Sequence, residues 1–187
     1  MQRQVHYFDG PGTQNTNACL DIVDQVVPPM KTVVVASTWG ATGVSCARRF
    51  ASRAKVVVVT HNVGFEEKNE DQMEPAARKQ IEAAGGLIYT GTILTSSLEK
   101  SLMKQYQGIY PTALIAATFR RLGQGMKVCA EIVMEGCDAG MVTEGEDVVA
   151  VGGTGSGADT VCIINAACSH RFMELKIREI LAKPRLF

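Results

Sequence analysis

Four short stretches of this chain, Thr32–Ala36, Lys55–Thr60, Asp147–Val151 and Thr160–Asn165, are built almost wholly from β-branched and other apolar residues. A strand with one wet face alternates apolar with polar; these runs do not alternate. They must be covered on both faces, which calls for a mostly parallel sheet with helices on each side. Thr42–Arg53 and Glu74–Ala84 carry apolar residues at helical spacing between them. The fold class is therefore α/β.

The remaining segments fit around this frame. Gln4–Phe8 reads as extended, Asp9–Gly12 as a turn, and Asn15-Thr16 as the cap of a helix that Pro28-Pro29 stops. His61–Asp71 is a polar loop, and Leu87–Tyr89 is a third short strand after the Gly85-Gly86 terminator. Ser97–Gly140 is helical almost throughout, with breaks near Gly108 and Pro111 and a weakening at Gly123 and Gly125. The connection from Val151 to Thr160 is too short for a parallel crossover, so the fifth strand runs antiparallel. Leu175–Ala182 fits either a helix or a strand ending at Pro184, with the strand favoured.

Two glycine- and hydroxyl-rich loops follow these strands, Ser37-Thr38-Trp39-Gly40-Ala41-Thr42-Gly43 and Gly152-Gly153-Thr154-Gly155-Ser156-Gly157. In right-handed βα units every strand ends at one edge of the sheet, which brings both loops, His61 and the helix start at Asn15 together. Consecutive backbone amides and a helix N-terminus at that edge suit an anion, phosphate above all. The first loop lacks the Lys of a Walker A loop, and the second opens a strand instead of the helix a dinucleotide fingerprint requires.

At 187 residues and 46% hydrophobic content the chain has the material for one well-buried domain spanning 1–187. Lys plus Arg equals Asp plus Glu at 19 each, so no net field draws nucleic acid or an anionic membrane. With no signal peptide and no apolar run near the ~18 residues of a membrane span, a cytoplasmic protein is expected. None of the six cysteines forms a C-x-x-C pair with another, so no metal site is expected. Cys46, Cys129 and Cys162 read as small buried hydrophobes. The long helical stretch offers more apolar faces than a small sheet needs, which suggests a homodimer.

Ser37-x-x-Gly40-x-Thr42 with Ala47-Arg48 behind it, Val56–Thr60, and Gly145–Gly152 leading into Gly155-Ser156-Gly157 and Thr160 resemble the allosteric carboxyl-terminal domain of pyruvate kinase. Tyr7-Phe8, Pro11-Gly12, Asn15-Thr16, Val59-Thr60-His61 and Gly64-Phe65 extend the likeness to stand-alone archaeal and bacterial proteins built on that domain. The resemblance implies a three-layer α/β/α fold with a mixed five-stranded sheet in the order 3-2-1-4-5. It implies no pyruvate kinase activity, because it covers only the regulatory domain and leaves no room for the catalytic barrel. In pyruvate kinase the two loops hold a phosphorylated sugar; in the stand-alone proteins the implied ligand is flavin mononucleotide. Trp39 replaces a Ser common in pyruvate kinases and Ala41 a basic residue, which disfavours a bisphosphate and leaves room for a flat ring against Trp39 or Phe65.

The expected ligand-binding residues are Asn15, Ser37, Thr38, Trp39, Gly40, Ala41, Thr42, His61, Phe65, Gly153, Thr154, Gly155 and Ser156. Gly40 is expected to let the loop approach a phosphate, so that Gly40→Asp would block binding and spare the fold. His61 is the one weak candidate for an acid or base. Lys68, in the same loop as His61, fits either an approach to the phosphate or a solvated position, and Glu131 and Asp138 share one helix face where interhelical or dimer contacts are expected. Two readings stand: a binding domain for a phosphorylated ring compound, and an enzyme using a flavin or a phosphometabolite with His61.

Overall fold

The structure, a computed structural model, describes residues 3–187. The strands are β1 (His6–Phe8), β2 (Thr32–Ala36), β3 (Lys55–His61), β4 (Leu87–Gly91), β5 (Asp147–Gly152), β6 (Thr160–Asn165) and β7 (Lys176–Pro184). The α-helices are α1 (Thr16–Asp24), α2 (Ala41–Phe50), α3 (Pro75–Ala83), α4 (Leu98–Tyr106), α5 (Pro111–Phe119) and α6 (Gln124–Asp138).

All seven strands form one sheet in the order β1-β7-β6-β5-β2-β3-β4. This corrects the expected five-stranded sheet. Its β4, β3, β2, β5 and β6 lie side by side, but β7 and β1 continue the sheet past β6 and change its overall order. β5, β2, β3 and β4 are parallel, β6 is antiparallel to β5, and β7 is antiparallel to β6 and parallel to β1.

Continuous valine runs are what a doubly covered sheet requires. Val33, Val35, Val56, Val58, Val149 and Val151 face α1 and α2, packing with Cys19, Leu20, Cys46 and Phe50. The intervening Val34, Val57, Val148 and Ala150 face α6, packing with Met126, Cys129, Ala130 and Val133. Cys46, Cys129 and Cys162 are fully buried within these two layers. The α4 helix buries none of its residues and α5 only Ala116, leaving Leu98, Tyr106, Ile109 and Leu114 exposed. Among the described residues, no helix is long and apolar enough to cross a membrane.

Because β2, β3 and β5 are parallel, the loops that leave Ala36, His61 and Gly152 meet at one edge, where β6 also begins at Thr160 opposite Gly152.

Candidate functional site

The Ser37 loop is fixed from below. The Ser37 amide donates to the Val59 carbonyl (2.9 Å), and its buried hydroxyl oxygen accepts from the Gly43 amide (3.0 Å). One amide of the first turn of α2 is thereby used, while those of Ala41 and Thr42 have no intrahelical acceptor and lie at the positive end of the helix dipole. Gly40 caps α2 with φ +102°, and a Cβ built there would lie 2.3 Å from the Cβ of Ala77 on α3. Its need for glycine is thus a matter of helix packing. The expectation that Gly40→Asp spares the fold is corrected: the side chain would collide with α3 before it met any ligand.

The second loop is drawn tight around Asp159, which is fully buried. Asp159 accepts from the Thr154 amide (3.0 Å) and from the Thr160 hydroxyl (2.7 Å). The Ala158 amide donates to the Thr16 hydroxyl oxygen (3.0 Å), and a Cβ on Gly157 would lie 2.7 Å from the Cα of Thr13. Gly157 lets this loop sit directly on the turn before α1; at Gly155, by contrast, a Cβ would meet nothing.

Between the two loops lies a cleft of about 420 Å³. Of the expected residues, Ser37, Thr38, Trp39, Gly40, Ala41, Thr42, His61, Gly153, Gly155 and Ser156 line it. Three do not. Asn15 stands at the N-cap position of α1 as expected, but its side chain makes no cap hydrogen bond and is not on the cleft wall: its amide donates to the Gly10 carbonyl (2.8 Å) inside the turn. Thr154 spends its amide on Asp159 and buries its hydroxyl without a partner. Phe65 folds onto His61, with ring centroids 4.3 Å apart, and lines a chamber behind the cleft.

Thr13, Thr16, Ser45, Gln124 and Val128 also line the cleft and were not foreseen. The hydroxyls of Thr13 and Thr16 repeat the chemistry of the Ser37 loop, and their positions at the starts of helices were the available signal; Ser45 lies in the second turn of α2, where its hydroxyl donates to the Ala41 carbonyl (3.1 Å). Among the described residues, no Lys or Arg lines the cleft. Arg48 turns away to Gln80 (2.9 Å), and Lys68 is not among the lining residues.

His61 stands on the wall, its Nδ1 2.7 Å from the Oε1 of the buried Gln72. With that carbonyl oxygen as acceptor, Nδ1 carries the proton and Nε2 is left to accept, 3.5 Å from the Thr38 hydroxyl. Glu131 is an intrahelical and interloop anchor: it pairs with Lys127 and accepts from the Thr95 amide (2.8 Å) and hydroxyl (2.7 Å). Asp138 accepts from the Ser169 amide (2.9 Å). Among the described residues, no group of three or more His, Cys, Asp or Glu is placed to hold a metal ion.

The crystal structure of O-ureido-L-serine synthase is similar to this chain at 20% identity and a TM-score of 0.33, over 59% of this chain and 36% of that one. The O-ureido-L-serine-bound form of a lysine-to-alanine mutant of that synthase matches at 18% identity with the same TM-score, over 73% of this chain and 50% of that one. The chain thus spans half or less of these structures, and at such a score the likeness supports no conclusion about the site. The sequence model described as "Pyruvate kinase, alpha/beta domain" matches residues 17–164, from the first turn of α1 to the end of β6, and so takes in both cleft-forming loops. By that match over most of its length, the chain belongs to the pyruvate kinase alpha/beta domain family.

Proposed function

We propose that the cleft binds a small phosphorylated ring compound, and that flavin mononucleotide is the ligand it suits. The observation that carries this reading is the convergence of the α2 N-terminus with the Gly152–Gly157 loop on one cleft that holds hydroxyls and amides but no cation. Such a site matches a single phosphate group. Trp39, 49% exposed on the cleft wall, offers a flat apolar surface against which part of the bound ligand can lie. The cleft volume falls in the range of about 300–1,000 Å³ typical of small-molecule sites.

One observation favours a second reading, an enzyme acting on the bound ligand. His61 is oriented by Gln72 so that an accepting nitrogen is turned toward Thr38 and the cleft, which is the arrangement a general base needs.

Titration of the purified protein with flavin mononucleotide, followed by flavin fluorescence and by thermal melting, tests the first reading. Ligand at 100 times its dissociation constant raises stability by about 2.7 kcal/mol, a measurable upward shift. No shift with flavin mononucleotide or any other phosphorylated ring compound would overturn the binding role. Turnover of bound ligand that His61→Ala abolishes, with binding retained, would establish the second.

A further inference from the structure

Behind the wall formed by Thr38, His61, Gln124 and Val128 lies a smaller chamber of about 210 Å³ that shares those residues with the cleft. Lys127, Glu131 and Glu135 line it from successive turns of α6, at only 5%, 5% and 2% exposure. Ionisable groups so deeply buried need partners. Lys127 and Glu131 have each other. Glu135 does not: among the described residues it accepts one hydrogen bond, from the Leu94 amide to Oε1 at 3.2 Å, and Oε2 is left without a donor. Burial, reinforced by the neighbouring Glu131, pushes its carboxyl up to about 8, so at neutral pH it keeps its proton. Ile93, Val128 and Ile132 make apolar walls around these groups.

We propose that this chamber receives the ring end of the ligand whose phosphate sits in the cleft, that the ring carries an imide edge, and that Glu135 selects it. The inference rests on the phosphate-binding reading above. A protonated carboxyl presents an O–H beside a C=O; an imide presents the complement, an N–H beside a C=O, and both hydrogen bonds form together. The Lys127–Glu131 pair is neutral as a unit and the Arg120 guanidinium, which also lines the chamber, donates to Gln124 Oε1 (2.6 Å), so a neutral group whose donor and acceptor are both met adds no unpaired charge of its own. The apolar walls suit the faces of a flat ring. Flavin mononucleotide and uridine monophosphate both carry such an edge on a phosphorylated chain.

Calorimetry with these two nucleotides, their N3-methyl forms and inorganic phosphate distinguishes the sources and tests the assignment. N3-methylation should weaken the nucleotide that binds by about tenfold or more, since it removes the imide donor. Glu135→Leu should cost a similar factor and cancel the effect of methylation, while Glu135→Gln, whose amide again sets a donor beside an acceptor, should stay within about threefold. Phosphate binding equal to that of the wild type shows that the variants are folded and the cleft intact. The methylated ligands need no variant, so the assignment stays testable if Glu135→Leu does not fold. Tolerance of N3-methylation overturns it, as does wild-type binding of phosphate without either nucleotide, which leaves the cleft reading standing. Failure to bind any phosphorylated ligand overturns both.

Discussion

Gly40 and Ala41 are adjacent and have opposite tolerances. Gly40 holds a left-handed φ against Ala77, so Gly40→Ala should lower stability by about 2 kcal/mol or more, through backbone strain and overpacking together. Ala41 is exposed and opens α2, where a carboxylate interacts favourably with the helix dipole. Ala41→Asp should therefore melt no lower than the wild type, yet lose the melting shift that flavin mononucleotide produces, because its charge lies where the phosphate must sit. A ligand shift equal to the wild type's would move the anion site away from α2. The glycines and hydroxyls of both loops were legible in the sequence because the local backbone demands them. Which way Asn15, Phe65 and Thr154 point was not legible, because those directions are set by Gly10, His61 and Asp159, partners that local sequence does not announce. Lys127 escaped notice for a related reason: a Lys and a Glu four apart look the same on a solvated helix face and on a buried one.

Among the elements, β2, β3, β5 and β6 were legible because runs covered on both faces cannot be confused with amphipathic helix. The placement of β7 was not. Its exposed and half-exposed first residues precede a buried end, and that pattern fits two periodicities until β6 supplies a partner. Ending the chain after Glu174 would strip β6 and β1 of their shared neighbour and bare an apolar edge. Such a truncated protein is expected to aggregate or to lose its cooperative melt, which circular dichroism would detect. The cleft is likewise a product of elements, a helix end and a taut loop, with no cationic side chain. Affinity for a phosphorylated ligand should accordingly fall only slightly between low and high ionic strength; a steep fall in calorimetric titrations would show that Lys or Arg side chains reach the phosphate.

At the scale of the whole molecule, carboxyls displaced in opposite directions contribute to the dependence of stability on pH. The Arg171 guanidinium and the Cys168 amide hold Glu144 down at about 2, so its contribution is present above its unfolded value of 4.5 and is lost as pH falls toward 2. Glu135 lies the other way. Its folded value of about 8 exceeds 4.5, so its contribution is complete below 4.5 and drains away as pH rises through 8, a loss on the order of 3–5 kcal/mol. The wild type should be most stable at about pH 5, and Glu135→Gln should flatten the decline on the alkaline side. Denaturant melts from about pH 2 to about 9 would read both limbs, and an unchanged alkaline slope in Glu135→Gln would remove Glu135 as its source.

The position of β1 also has a consequence for synthesis. Among the described residues its one neighbour in the sheet is β7, with His6 opposite Ala182 and Phe8 opposite Pro184. A ribosome releases the first of these strands more than 160 residues before the second. The inner sheet, with both loops of the cleft, can be assembled while β1 still waits for a partner, and β7 must then slot between a finished β6 and a strand made long before it.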